Sequence, residues 1–80
     1  MTEIHKWQRI VKKCFTDKEW EWLSQQGNFM KLYHEVATLE QFESVCELAS
    51  NMLSVMEGHD RAAFIIRLAE IREQANRESV

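Results

Sequence analysis

The sequence contains no proline and two glycines, Gly27 and Gly58. Antiparallel sheets need chain reversals, and reversals draw on Gly, Pro, Asn and Asp. Only Gly27-Asn28 and Gly58-His59-Asp60 offer such clusters, which is too few for a series of short strands. A phosphate-cradling loop needs several glycines close together, and these two stand far apart. The Gly-x-Ser-x-Gly elbow that presents a nucleophilic serine is absent. Two common loop-based routes to catalysis are therefore closed.

Cysteine is scarce as well. Cys14 and Cys46 form no Cys-x-x-Cys pair, and a disulfide-stapled secreted domain of this size shows more cysteines. Both fall on apolar helix faces, where a free thiol behaves as a small hydrophobe. A reducing, cytoplasmic setting is expected. The longest unbroken apolar run, Ala62 to Ile66, is far short of a membrane span or of a signal peptide's apolar region. Met1 and Thr2 lead directly into a periodic segment, so neither a membrane segment nor a targeting segment is expected.

What is present is helical. Glu, Gln, Lys, Arg, Leu, Ala and Met dominate, and they are strong helix formers. With 45% hydrophobic and 29% charged residues, the chain is too apolar for disorder. Its 80 residues make one domain, 1–80, near the lower end of what folds alone. The expectation is an all-α, single-domain bundle of four or five short helices with short connections, about 70–80% helical against an ordinary base rate of roughly one-third.

The helices are expected over about residues 2–15, 17–26, 29–37, 39–57 and 60–77, with the last few residues frayed. Ile4, Trp7, Ile10, Val11, Cys14 and Phe15 recur at helical spacing in the first, with Lys and Arg on its other side. Thr16 and Glu19 have the spacing of a capping box for the second. Gly27 is expected to end it as a left-handed cap, and Asn28 to open the third. The apolar stripe runs 29, 32, 36 and then 42, 45, 49, 52, 56. Those two phases do not share one face of a straight helix, so the chain is expected to break near Thr38. Thr38 and Gln41 form a second possible capping box. Gly58 is expected to end the fourth helix, and Asp60 to cap the fifth. The core is expected to hold Ile4, Trp7, Val11, Leu23, Leu32, Val36, Phe42, Val45, Ala49, Met52, Phe64, Ile65 and Leu68.

The net charge of −3 is unevenly spread. Residues 1–18 carry Lys6, Arg9, Lys12, Lys13 and Lys18 against Glu3 and Asp17, whereas Lys31 is the lone cation among the acids of residues 19–60. Lys6, Arg9, Lys12 and Lys13 form a basic ridge on the first helix that could contact phosphates. Residues 22–37 have the outline of a helix–turn–helix, but their second helix offers one Lys and no Arg, Asn or Gln beyond Asn28 to read bases. Together with the acidic pI of about 5.6, this makes nucleic acid an unlikely partner and a nucleic-acid-associated regulator the alternative reading.

No catalytic residue, metal site or cofactor site is expected. Cys14, Cys46, His34 and His59 contain no close pair of the kind structural zinc sites show. His59-Asp60 reads as a turn and a cap, and Glu40, Glu43 and Glu47 read as a solvated face. Protein binding is left, with two features in its favour. Trp20, Leu23 and Trp22 span an arc of roughly 160°, too wide for so short a helix to bury, so one indole is expected at an interface, Trp22 before Trp20. On the fourth helix Leu48 and Val55 lie about 60° off the main stripe and would meet a second chain, most simply as a homodimer. The expected function is a non-catalytic interaction module: a small cytoplasmic adaptor, regulator or inhibitor.

Overall fold

The first helix, α1 (Glu3–Lys13), buries Trp7, Ile10 and Val11 on one side and exposes Arg9, Lys12 and Lys13 on the other. Its lysines in the last turn complement the helix dipole. The helix stops two residues short of the expected end. Cys14 and Phe15 instead close a tighter turn, their N–H groups donating to Val11 O at 3.0 Å and Lys12 O at 3.3 Å, and both side chains remain buried. The computed structural model describes residues 3–78; among them it forms five helices and no strand. The side chain of Ile4 lies outside the described residues.

Thr16 starts α2 (Asp17–Leu23) with the expected capping box. The Glu19 N–H donates to Thr16 Oγ1 at 3.1 Å, and the Thr16 N–H donates to Glu19 Oε1 at 2.9 Å. The helix ends at Leu23 rather than at residue 26. The Ser24 hydroxyl and the Gln25 amide both turn back on Glu21 O, at 2.8 and 3.4 Å, and such local bonds compete with helix propagation. The reversal is completed by extended backbone at Gln26 (φ −98, ψ 110). Gly27 is therefore not a left-handed cap: it is the first residue of α3 (Gly27–Glu35), and Gln26 takes the N-cap position expected of Asn28, with no side-chain capping bond.

α3 ends two residues early because Val36 leaves the helix in an extended conformation (φ −68, ψ 121) and buries its side chain completely. The expected break at Thr38 is present. Thr38 Oγ1 accepts from the Gln41 N–H at 3.1 Å and caps α4 (Leu39–Leu53). Only half of the capping box forms, since the Gln41 side chain accepts from the Ala37 N–H at 2.7 Å. α4 stops at Leu53, not at residue 57. Val55 and Met56 donate to Met52 O and Leu53 O in tight turns, and Gly58 turns the chain at φ +75. Asp60 then caps α5 (Arg61–Glu78), its Oδ1 accepting from the Ala63 N–H at 3.1 Å.

α4 packs against each of the other four helices. Being surrounded explains its broad apolar face, with Phe42, Val45, Cys46, Ala49 and Leu53 all buried. At one end of the core Phe15 stacks on Phe64 (centroids 5.9 Å apart) and meets Phe29 edge-on at 5.6 Å. At the other, Trp7 packs on Phe42 at 5.5 Å. Leu32 and Met52 are half-buried rather than fully inside. Ile65 is a clear departure: it is 48% exposed. α5 turns Phe64, Leu68, Ile71 and Ala75 inward, and Ile65 lies about 100° round the helix from Phe64.

The two glycines should respond oppositely to a methyl group. Neither would meet an obstacle within 4 Å, but only Gly58 has a positive φ. Gly58→Ala should cost about 1 kcal/mol in urea unfolding. Gly27→Ala should leave stability unchanged or raise it by up to about 1 kcal/mol. Equal losses at both positions would contradict this assignment of the turns.

Candidate functional site

α2 presents Glu19 and Leu23 to the interior, one helical turn apart. Leu23 is fully buried. The carboxylate of Glu19, 7% exposed, is enclosed by donors from three other places in the chain. Oε1 accepts from the Thr16 N–H and from Arg67 Nη1 at 2.7 Å; Oε2 lies 2.8 Å from His59 Nε2. Arg67 Nη1 also donates to Cys14 O at 2.8 Å. One buried acid thus joins the α1–α2 junction, α2, the α4–α5 turn and α5.

A carboxylate only accepts, so Nε2 of His59 carries the proton in that contact. The ring is 4% exposed and lies 5.6 Å from the Phe64 ring. Its Nδ1 is buried with no hydrogen-bond partner. A Glu–His pair is also the usual arrangement for orienting a general base; here the unpartnered Nδ1 is enclosed by the fold. In this position the cluster acts as a joint between helices.

Over the joint runs a groove. One lobe, of about 270 Å³, is lined by Thr16, Lys18, Met56, His59 and Ala63. It continues past Lys18 and Met56 into a second lobe of about 230 Å³ walled by Glu21, Trp22 and Gln25. Trp22 and Met56 are both half-buried, so a rigid aromatic and a flexible thioether share an apolar strip open to solvent.

The four residues expected at a protein interface do not share one surface. Trp20 is half-buried on the α1–α3 side, 4.9 Å from the Tyr33 ring and 5.7 Å from Phe29, with Lys12 Nζ 5.4 Å above it. Burial there raises the Tyr33 phenol above its ordinary pKa. Trp22 lines the groove. Leu48 is half-buried in a shallow hollow beside Ser44 and Asn51. Val55 stands 78% exposed in the turn after α4. Ile66, at 62%, joins Ile65 as exposed apolar bulk on α5, a consequence of the five-residue apolar run that no single core face can absorb.

The basic ridge is split. Lys6, Arg9 and Lys13 surround a shallow cleft of about 170 Å³ beside Glu78, whereas Lys12 faces Trp20. Lys6 Nζ sits 5.6 Å above the Trp7 ring and 3.5 Å from Glu78 O. On α4, Glu43 leaves the expected solvated face to pair with Arg72, whose Nε donates to Oε1 at 3.1 Å and whose Nη2 meets Oε2. That hydrogen bond holds the Arg72 guanidinium more firmly charged. Among the described residues no three His, Cys, Asp or Glu side chains come together to hold a metal ion. Nor is any helix among them long and apolar enough to cross a membrane. Compared with known protein families, characterised proteins and solved structures, the chain matches none.

The buried joint and the exposed ion pair should differ in weight. Removing one partner of a buried, multiply bonded pair strands the other charge, so Glu19→Ala should cost about 3 kcal/mol in urea unfolding. Glu43→Ala should cost under about 1 kcal/mol, because water screens that pair. Losses of similar size would remove Glu19's special role.

Proposed function

We propose that the chain is a non-catalytic protein-binding module, a small cytoplasmic adaptor, regulator or inhibitor that works by covering a surface on another protein. The observation that carries this reading is the exposure of Val55, Ile65 and Ile66, at 78, 48 and 62%. The other large apolar side chains among the described residues are buried or half-buried. Burying an aliphatic side chain of this size is worth about 1.5–3 kcal/mol, so covering two isoleucines is a substantial driving force.

The exposed isoleucines belong to a second stripe on α5. Ala62, Ile65, Ile66 and Ala69 are all exposed, and their i, i+3, i+4, i+7 spacing places them on one face, turned away from the core. The short alanines at either end let another helix approach closely. The Trp22–Met56 groove offers a second apolar contact, of the aromatic type that anchors interfaces. A homodimer belongs to the same proposal, moved from α4 to this stripe: a two-fold axis would set the α5 faces against each other. The cytoplasmic setting rests on the two free thiols.

A nucleic-acid-associated regulator remains the second reading, favoured by the convergence of Lys6, Arg9 and Lys13 on one cleft. The placing of Lys12 over Trp20 weighs against it. Salt separates the two, since phosphate contacts weaken steeply with ionic strength and apolar contacts do not.

Ile66→Glu puts a charge into the stripe without touching the core. It should fold with stability within about 0.5 kcal/mol of wild type. Wild-type protein should run as a dimer in light scattering at tens of micromolar, or retain a protein partner from its host's extract, with little change between low and moderate salt. The variant should lose that association. If the variant associates as the wild type does, or if binding collapses with salt, the apolar stripe is not the interface.

A further inference from the structure

Lys6, Arg9 and Lys13 follow one another on α1 at spacings of three and four residues, which stacks them on one face of the helix. With Ile10 and Glu78 they line the cleft of about 170 Å³ where α1 meets the last turn of α5. Ile10 is buried, so the floor of the cleft is apolar and fixed. Lys6 is half-buried, and its Nζ is placed by two contacts, 5.6 Å above the Trp7 ring and 3.5 Å from Glu78 O. An ammonium carries three donors, so Lys6 keeps others for a ligand. Arg9 and Lys13 stand exposed at the rim.

The charge of this cleft is unmatched. Like charges at these helical spacings repel. On α5, Arg67, Arg72 and Arg77 each pair with a glutamate. Lys6, Arg9 and Lys13 form no ion pair among the described residues, although Glu78 borders the cleft. Three cations facing one carboxylate leave a surplus of two positive charges. The volume lies below the roughly 300–1,000 Å³ of a pocket for a drug-sized molecule, so one small group fits.

We propose that Lys6, Arg9 and Lys13 form a binding site for a single phosphoryl dianion, carried by free phosphate or by a phosphate monoester. Such a group bears about −1.5 to −2 charge at neutral pH and has three strong acceptor oxygens, which matches the surplus and the number of cations. The planar fork of Arg9 grips two oxygens at once, and the two lysines act as point charges on either side. A nucleic-acid strand offers instead a row of singly charged phosphodiesters, and one compact cleft on a protein of net charge −3 is poorly placed to track it. The site is independent of the α5 stripe and stands whether or not that stripe meets another protein.

The test follows the backbone amide signals of the full chain by NMR during titration with inorganic phosphate alone, to tens of millimolar at neutral pH. Sodium chloride of equal ionic strength is the control. Saturable shifts confined to residues 6–13 and the end of α5 are expected. Arg9→Gln should weaken the binding by about tenfold or more, and Lys13→Gln by about threefold or more. Both side chains are exposed, so both variants should keep the wild-type signals of α4. A parallel titration with phenyl phosphate distinguishes the sources: tighter binding than phosphate assigns the site to a monoester, weaker binding to the free ion. Shifts that only drift as they do with chloride overturn the proposal, as do saturable shifts elsewhere or variants that bind like the wild type. An oligonucleotide without terminal phosphates that binds more tightly than phosphate also overturns it, in favour of a nucleic-acid contact.

Discussion

The position of α2 depends on one buried carboxylate. A helix of seven residues is too short to persist in water by itself, and Leu23 is its sole fully buried apolar side chain. Glu19 provides the rest of the attachment, with the Thr16 N–H, Arg67 and His59 all directed at its two oxygens. Taking a carboxylate out of water costs several kcal/mol, and that cost is offset only where its lone pairs are met. The gain lies in orientation. With Glu19 and Leu23 turned inward, Trp20 falls to the α1–α3 side and Trp22 to the groove beside Met56. The same joint holds the Gly58 turn against α2 through His59, so the groove has two fixed walls.

The core accounts for the rest of the architecture, and also for what is left exposed. α4 is enclosed by four helices, which uses most of its wide apolar face within the domain. α5 lies against that assembly with one face alone. Its first turns are apolar in nearly every direction, so packing Phe64 and Leu68 leaves Ile65 and Ile66 outside. The proposed protein contact rests on that exposed stripe.

Much of the fold was legible in the sequence, because it is written in local patterns. The Thr16–Glu19 capping box, the change of phase at Thr38 and the Asp60 cap are all local signals. Gly27 misled because a glycine after a polar run has two readings, and the Ser24 and Gln25 side chains had already ended α2. Ile65 misled because an apolar run fixes no helix rotation. The candidate site was far less legible. Glu19 meets His59 and Arg67 across 40 and 48 residues, and locally each has a complete explanation: a capping-box acid, a turn residue, a charge on an outer face. In each case tertiary packing decides which side chains meet.

The joint is tested most directly by a double-mutant cycle in urea unfolding, built from Glu19→Gln, Arg67→Gln and the pair together. Hydrogen-bonded charges in one buried network typically couple by about 1–3 kcal/mol. A coupling in that range, with the double variant less destabilised than the two single losses added, is the result that this structure predicts. Additive losses, with a coupling near zero, would show that Glu19 and Arg67 stabilise the protein independently and that α2 is held by apolar packing alone.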